Sequence, residues 1–179
     1  MKPKAIIQSI LILLLLVSLT WAKVRPLAQD YVEVFRSPDP EQIYAYSPGI
    51  TCLKSGRLVA TLDIGGPGMK DWPEEPVGTR YSRIKQGKVF TSDDGGESWQ
   101  HRANYPFIHA RPFVAGNSLY VMGNCQDLMI IRSGDDGDTW SKTVKLTVGE
   151  TWSQAPCNVH YAHGCVYLLM HRRPYLHKG

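Results

Sequence analysis

Beyond its first 22 residues, the chain lacks a long hydrophobic run, a sustained helical period and a strong excess of charge of either sign. It has 20 lysines and arginines against 16 aspartates and glutamates, a formal net charge of +4 over 179 residues. Two lysines and no acid lie in the first 22 residues, so the remainder carries +2. No basic run with interleaved aromatic residues occurs. We therefore expect neither nucleic acid nor an acidic membrane surface as a partner.

Cysteine is scarce, and its spacing matches no zinc-binding template. We expect no metal site and no cofactor. Cys157 and Cys165 are equidistant from Tyr161, so a hairpin centred there would place them opposite each other on antiparallel strands. A disulfide between them and two free buried thiols are the alternatives in an exported protein. No partner is expected for Cys52 or Cys125.

The one long apolar segment lies at the N-terminus, where Lys2 and Lys4 precede an apolar run over about residues 5–19. The run holds roughly 15 residues, short of the ~20 that a membrane-spanning helix needs. These features predict a secretory signal peptide over residues 1–22, cleaved after Ala22. The mature protein is then secreted, periplasmic or extracellular, with no stable membrane span. A retained membrane anchor is the alternative.

The rest of the chain consists of short runs rich in Val, Ile, Tyr, Leu and Phe, broken by Gly, Asn and Asp, a pattern typical of strands and turns. A plain hairpin recurs three times, with its turn at residues 54–56, 115–117 and 162–164. After each of the first two comes a hairpin with an acidic turn, "SDDGGESW" at 92–99 and "SGDDGDTW" at 133–140. The repeating unit therefore has four strands, A to D in chain order.

The two acidic turns are 41 residues apart, a period at which four-stranded propeller blades repeat. A blade cannot bury both of its faces alone, so blades must stack on one another. The acidic turn recurs at the equivalent point of each unit, whereas a catalytic or calcium site is needed only once. We therefore interpret it as a structural fastener, in which the aspartate binds its own turn and the tryptophan packs beneath it.

Both acidic turns match S-x-D-x-G-x-[ST]-W, and in this the chain resembles the sialidase superfamily of β-propellers, whose Asp-box (BNR) repeat has this form. The resemblance implies an all-β propeller with six blades in the full protein. Residues 23–179 would hold blade one at about 44–103, blade two at about 107–147 and the start of blade three at about 153–171. We expect an N-terminal part of a longer protein; ring closure by oligomerisation is the alternative. The matching residues are Ser92, Asp94, Gly96, Ser98 and Trp99, then Ser133, Asp135, Gly137, Thr139 and Trp140.

Strand order alone sorts the loops between the two faces of a propeller. The A–B and C–D turns share one face, whereas the D–A and B–C connections open on the other, where strand A begins and strand B ends. Ligands gather in the central concavity of one face, and the resemblance implies the face opposite the acidic turns. His109 and Arg111 are expected there before strand A of blade two, and Asn124 after its strand B. The other candidates are Tyr46, Asp63 and Asp71 of blade one and Trp152 and Arg172 of blade three.

Two acids are the candidates for catalysis. Asp71 lies in the longest loop, and the resemblance implies that this region supplies a general acid. Asp63 stands where sialidase-like proteins hold an acid that orients a substrate-binding arginine. Tyr46 occupies that arginine's position, and a tyrosine cannot make the bidentate charged contact of a guanidinium with a carboxylate, which disfavours sialic acid as the substrate. Tyr46 and the five remaining candidates are expected to bind substrate.

The expected function is that of a secreted, sialidase-like propeller of the exo-glycosidase type that acts on a glycan or glycoconjugate. If active, it is a glycoside hydrolase whose nucleophile comes from later blades, so residues 1–179 alone are expected to be inactive. The alternative is a non-catalytic Asp-box propeller that binds glycans or protein partners, which the tyrosine at position 46 favours.

Overall fold

The computed structural model describes residues 30–153 and 159–173. The chain separates into two compact units, Met1–Tyr31 and Val32–Gly179, and the fold described below is that of the second. The predicted signal peptide, residues 1–22, and Cys157 lie outside the described residues. Within the described ranges, none of the helices has the length and apolar character needed to cross a membrane.

The first sheet has five strands and contains those of the predicted blade one. β1, β2, β4 and β5 pair antiparallel in that order, and the short β3 pairs with the beginning of β4. The predicted order A to D is therefore observed, with one additional short strand in the B–C connection. The elements are β1 (Tyr44–Cys52), β2 (Leu58–Gly65), a 3-10 helix (Pro67–Asp71), β3 (Gly78–Arg80), β4 (Arg83–Ser92) and β5 (Gln100–Tyr105).

The second sheet contains the strands of the predicted blade two, again paired antiparallel in chain order. Its last strand is much shorter than the others, although the pairing continues where Leu146 N donates to Leu128 O at 2.8 Å. The strands are β6 (Ile108–Ala115), β7 (Ser118–Cys125), β8 (Asp127–Ser133) and β9 (Val144–Lys145).

Four short strands follow and form two antiparallel pairs, which together we call the third hairpin. β11 pairs with β12, and β10 pairs with β13. The strands are β10 (Trp152–Ser153), β11 (His160–Ala162), β12 (Cys165–Tyr167) and β13 (His171–Arg172). Cys165 pairs with Ala162, so the turn is centred between His163 and Gly164 and not on Tyr161. The arrangement from which a Cys157–Cys165 bridge was predicted is therefore not the observed one. Since Cys157 lies outside the described residues, the bridge itself stays a prediction.

A five-stranded and a four-stranded antiparallel sheet, followed by a third hairpin, make this an all-β chain with the architecture of a partial β-propeller, as predicted. The first strands of the two blades, β1 and β6, lie beside each other. The main core is packed between the blades, and burying each of its large apolar side chains contributes roughly 1.5–3 kcal/mol. Its completely buried members are Val59, Val89, Tyr105, Phe107 and Val121.

The first acidic turn is closed by hydrogen bonds among its own residues. Asp94 Oδ1 accepts from Ser92 Oγ at 2.7 Å and from Ser98 N at 2.9 Å, and Asp94 Oδ2 accepts from Ser98 Oγ at 2.5 Å. Ser92 Oγ accepts from Gly96 N at 2.8 Å, and Trp99 Nε1 donates to Gly96 O at 3.1 Å. The bonds from Ser98, and then the one from Ser92, hold the pKa of Asp94 well below its usual range.

The second acidic turn repeats this network with nearly the same distances. Asp135 Oδ1 accepts from Ser133 Oγ at 2.7 Å and from Thr139 N at 2.9 Å, and Asp135 Oδ2 accepts from Thr139 Oγ1 at 2.5 Å. Gly137 N donates to Ser133 Oγ at 2.8 Å, and Trp140 Nε1 donates to Gly137 O at 3.0 Å. Both oxygens of each aspartate are thus engaged inside the turn.

An arginine from blade one connects the two acidic turns. Arg57 donates from Nε and Nη2 to the two carboxylate oxygens of Asp93, at 2.6 and 2.9 Å. Its Nη1 donates to Asp138 Oδ1 at 2.8 Å and to Asp136 O at 3.2 Å in the turn of blade two. Arg57 thus makes a bidentate charged contact within blade one and a single charged contact with Asp138 of blade two, and it joins the two turns across the blade boundary.

We expect Asp94→Ala to lower the melting temperature by several degrees, because it removes the acceptor of three hydrogen bonds that close the turn. Glu97→Ala, at an exposed position of the same turn, is the matched control and should leave the melting temperature unchanged. Thermal unfolding followed by circular dichroism measures both. Equal effects of the two substitutions would contradict a fastening role for Asp94.

Candidate functional site

A bulge in β1 sets the position of Tyr46 in blade one. Tyr46 pairs with Asp63 of β2, and the register then shifts by one residue before Gly49. Ser47, in the bulge, has a positive φ of 52°, which is uncommon for a residue other than glycine. Tyr46 and Asp63 therefore lie opposite each other at the end of the hairpin that is remote from its turn.

Blade two has the equivalent bulge in β6. Ile108 pairs with Asn124, the register shifts before Arg111, and His109 has a positive φ of 55°. His109 and Arg111 thus lie inside strand A and not before it, and Asn124 lies inside strand B and not after it. The expected boundaries were wrong because the bulge allows pairing to continue past the irregular residues.

Asp63 is the most deeply buried of the predicted site residues. Its side chain is completely excluded from solvent, and its Oδ2 accepts from His109 N at 2.5 Å. Its other oxygen, Oδ1, has no hydrogen-bond partner among the described residues. Burial raises the pKa of Asp63 to about 8, against the opposing effects of the His109 bond, the Ser47 side chain and the charge of Arg111. The carboxyl group is therefore mostly protonated at neutral pH.

Tyr46 is half-buried, and its buried hydroxyl lacks a hydrogen-bond partner in the part of the chain that the structure describes. Burial, and next the charge of Asp63, raise the pKa of Tyr46 above its ordinary value. Lys85 Nζ lies 5.1 Å from the centre of the Tyr46 ring, within the range of a cation–π contact. A side chain at Gly65 would clash with both the Lys85 ammonium and the Tyr46 hydroxyl, so glycine at this position allows these two groups to pack against the strand.

Arg80 links the two blades to the third hairpin. Its Nη1 lies 3.3 Å from His109 Nδ1, and its Nη2 donates to Trp152 O at 3.2 Å. Its buried Nε has no partner among the residues described. Burial, and then the charges of Arg80 and Arg111, lower the pKa of His109 to about 4. The imidazole is therefore neutral at pH 7, and its Nδ1 can accept from Arg80.

Asn124 and Arg111 complete the buried group in blade two. Asn124 is completely buried, and both polar atoms of its amide lack partners among the described side chains and backbone. Arg111 is also buried and donates from Nη1 to Ala110 O at 2.8 Å and to Ser47 O at 3.4 Å. We call Tyr46, Asp63, Arg80, His109, Arg111 and Asn124 the buried polar cluster.

Asp71 does not join this cluster. It is the last residue of the 3-10 helix, its side chain is 79% exposed, and its Oδ2 lies 3.8 Å from the Nζ of Lys70. Its loop is anchored on the other side by Gln86, which accepts from Trp72 Nε1 at 3.0 Å and donates to the carbonyls of Glu74 and Pro76 at 3.1 Å. The general acid that the resemblance implies is thus held on a fixed loop, with its carboxyl group in solvent.

Trp152 and Arg172 lie together in the third hairpin. Their Cα atoms are partners in the pairing of β10 with β13. Both side chains contact Glu150, since Trp152 Nε1 donates to Oε2 at 2.7 Å and Arg172 Nη2 lies 2.9 Å from Oε1. Arg80 reaches this hairpin through Trp152 O, but its contact is with the backbone and not with the indole.

Arg80 and Lys85 were missed by the sequence analysis. Arg80 directly precedes the two-residue turn Tyr81-Ser82 between β3 and β4, and Lys85 lies three residues after it in β4; both turn residues have positive φ. Such a turn closes a tight hairpin, but its usual signal is Asn or Gly, and neither is present here. The only available signal was the density of cations in "RYSRIK", residues 80–85.

Among the described residues, no group of three or more His, Cys, Asp or Glu side chains is arranged to hold a metal ion. The cluster combines one mostly neutral carboxyl group, one neutral imidazole, a tyrosine, an amide and two arginines. It can donate and accept hydrogen bonds, and its net charge favours an electron-rich or anionic ligand.

No family model and no curated protein sequence matches the chain. Among solved structures, it is similar to the Trypanosoma rangeli sialidase, with 18% identity and a TM-score of 0.37 over 50% of this chain and 13% of that one. It is also similar to an alpha-L-arabinanase of Penicillium chrysogenum complexed with arabinobiose, with 17% identity and a TM-score of 0.46 over 71% and 40%. For an alpha-L-arabinofuranosidase of Fusarium graminearum the values are 17%, 0.38, 57% and 31%. The chain spans less than half the length of each, and the fold assignment rests on its own strand pairing.

Proposed function

We propose that this chain is part of an exported propeller that binds a glycan or glycoconjugate over the buried polar cluster, and that it is a glycoside hydrolase of the sialidase-like, exo-glycosidase type. The observation that carries the proposal is the concentration of buried polar atoms without partners in Tyr46, Asp63, Arg80 and Asn124, which are four of the six described residues that have such atoms. Leaving such an atom unpaired costs about 1–3 kcal/mol, so native proteins keep few of them. A ligand rich in hydroxyl groups offers donors and acceptors of this kind. These atoms are closed to solvent in the structure, so binding requires side chains of the cluster to move and expose them to the ligand.

Each acid has a role in the proposed reaction. Asp63 is mostly protonated at neutral pH and holds the backbone of His109 in place. Asp71, which faces solvent at the end of the 3-10 helix, is the candidate that can reach a ligand and protonate a leaving oxygen. The nucleophile would come from other blades. Sialic acid is disfavoured because Tyr46 stands where the resemblance implies a substrate-binding arginine and offers no guanidinium to a carboxylate. The two arginines of the buried polar cluster make contacts with other protein groups.

The test is a panel of glycosides, with and without sialic acid, offered to the full-length mature protein. A general acid contributes about 10²–10⁴-fold to the rate, so we expect Asp71→Asn to reduce kcat by at least about 100-fold. Glu75→Gln, an exposed acid in the same loop, is the control and should retain full activity. N-terminal sequencing of the secreted protein tests export and cleavage after Ala22. Absence of both binding and turnover across the panel would contradict the proposal.

A non-catalytic glycan-binding propeller is the second candidate, and the positions of the two acids favour it. Glycosidases usually hold two carboxyl groups on either side of the scissile bond, about 5–10 Å apart. Here Asp63 is completely buried, so its carboxyl group cannot lie against a scissile bond, whereas Asp71 is exposed. Tight glycan binding without turnover, unchanged by Asp71→Asn, would establish this second function and exclude the first.

A further inference from the structure

A separate pocket of about 500 Å³ lies in blade one, between the 3-10 helix and the hairpin of β3 and β4. Its lining includes three basic side chains and no acidic one: Lys70, Arg83 and Lys85. The rest of its wall includes Tyr44, Gly66 and Ser82. We call it the basic pocket.

The charges of the basic pocket are not neutralised by the protein. Arg83 and Lys85 have no ion pair within the described part of the chain, and Lys70 has only the long contact of 3.8 Å to the exposed Asp71. Burial, and next the charge of Arg83, lower the pKa of Lys85. Three like charges close to one another repel, and one of them has also lost part of its hydration.

The backbone holds these cations in place. Arg83 and Lys85 are two residues apart in β4, so their side chains leave the strand on the same face. The turn before them places Tyr81 and Ser82 at φ values of 49° and 57°, a conformation that is uncommon for residues other than glycine. The short β3, which ends immediately before this turn and pairs with the start of β4, keeps the hairpin closed.

We propose that the basic pocket is an anion-binding subsite that takes a sulfate, phosphate or carboxylate group. Arg83 offers a planar fork of donors and the two lysines offer point charges, which together suit a tetrahedral or planar oxyanion. Lys85 also contacts the ring of Tyr46, so the bound anion lies beside the buried polar cluster. The subsite goes beyond the proposed function, because anion binding can be measured whether or not a glycan is cleaved.

The test compares four proteins: the wild type, Arg83→Gln, Lys85→Gln and the control Lys142→Gln, which removes an exposed lysine from the acidic-turn region of blade two. Each is titrated with sodium sulfate, phosphate or acetate at constant ionic strength set with chloride. The melting temperature and the Kd are recorded. We expect the wild type and Lys142→Gln to bind at least one oxyanion equally well. Loss of either pocket cation should weaken that binding about tenfold, the effect of losing a charged hydrogen bond.

Two results would overturn the subsite. Sulfate stabilises most proteins because it is excluded from their surface, so an equal rise in melting temperature in all four proteins would mean that no site exists. No binding of any oxyanion would also exclude it. A sulfated oligosaccharide and its uncharged counterpart of equal length then identify the source of the anion. Preference for the sulfated form that is lost in Arg83→Gln assigns the subsite to glycan recognition, whereas binding of inorganic oxyanions alone leaves the subsite intact and counts against the proposed glycan function.

Discussion

Replacement of Asp63 by asparagine is expected to make the protein more stable than the wild type at pH 8 and about equally stable at pH 4. The amide is neutral and has nearly the same shape as the protonated carboxyl group, and its oxygen can accept the hydrogen bond from His109 N. What it removes is the ionisation of a completely buried group. Because burial keeps Asp63 protonated in the folded protein, this group destabilises the wild type only at pH values at which the unfolded chain has lost the proton.

The direction follows from proton linkage. In the unfolded chain Asp63 titrates near pH 3.9, whereas in the folded protein burial raises its pKa to about 8. Between these two values the folded state binds more protons than the unfolded state, so stability falls as pH rises, by at most about 1.4 kcal/mol per pH unit. The favourable contribution of the neutral carboxyl group is fully present below pH 4 and is lost by about pH 8. The Asp63→Asn variant has no proton to lose at this position and shows no such fall.

The measurement is the free energy of unfolding by urea at several pH values from 4 to 8, for the wild type and for Asp63→Asn. The difference between the two curves isolates Asp63 from other titrating groups and should widen with pH to several kcal/mol. Asp71→Asn is the control, since it removes a carboxyl group from an exposed position. Parallel curves for Asp63→Asn and the wild type would show that Asp63 is ionised in the folded protein.

The fold could be predicted from local features of the sequence because each strand of a blade is bounded by a recognisable turn. The recurring acidic turns fixed the spacing of the units, and both of them are closed in the structure by their own side chains. Strands β1 to β8, with the exception of β3, follow the predicted hairpins. The outer strand of blade two was predicted less well, because β9 is reduced to Val144–Lys145 and its length depends on tertiary packing.

The candidate site was predicted only in part, because its geometry depends on backbone irregularities that leave no clear signal. The bulges at Ser47 and His109 draw Asp63 and Asn124 into the protein interior, and no local pattern indicates such burial. The hairpin of β3 and β4 brings Arg80 into the buried polar cluster. The alternation of polar and apolar residues in the sequence does not distinguish Arg80 from any other arginine in a loop. Asp71 was predicted as a catalytic acid because it lies in the longest loop, but the structure leaves its carboxyl group in solvent.

Gly87→Ala is expected to destabilise the protein by about 3 kcal/mol or more, at the upper end of what overpacking a core costs. Gly87 lies in the middle of blade one, where it pairs with Asp63 on one side and Tyr105 on the other. A Cβ added here would fall inside the ring of Tyr105. That ring is completely buried and packs on Phe107 with ring centres 4.4 Å apart, so it cannot move aside. The strand must shift instead, and Asp63 with it.

Urea unfolding of Gly87→Ala and of Gly134→Ala measures the effect, since a Cβ at Gly134 would meet no atom within 4 Å and should change stability little. A double-mutant cycle with Tyr105→Leu then identifies the cause. If the clash with the ring is responsible, Gly87→Ala should cost much less when the ring is absent, and the two substitutions should be strongly non-additive. Additive effects would place the cost in the strand backbone and would contradict the close packing of Tyr105 over Gly87 as the reason for glycine at this position.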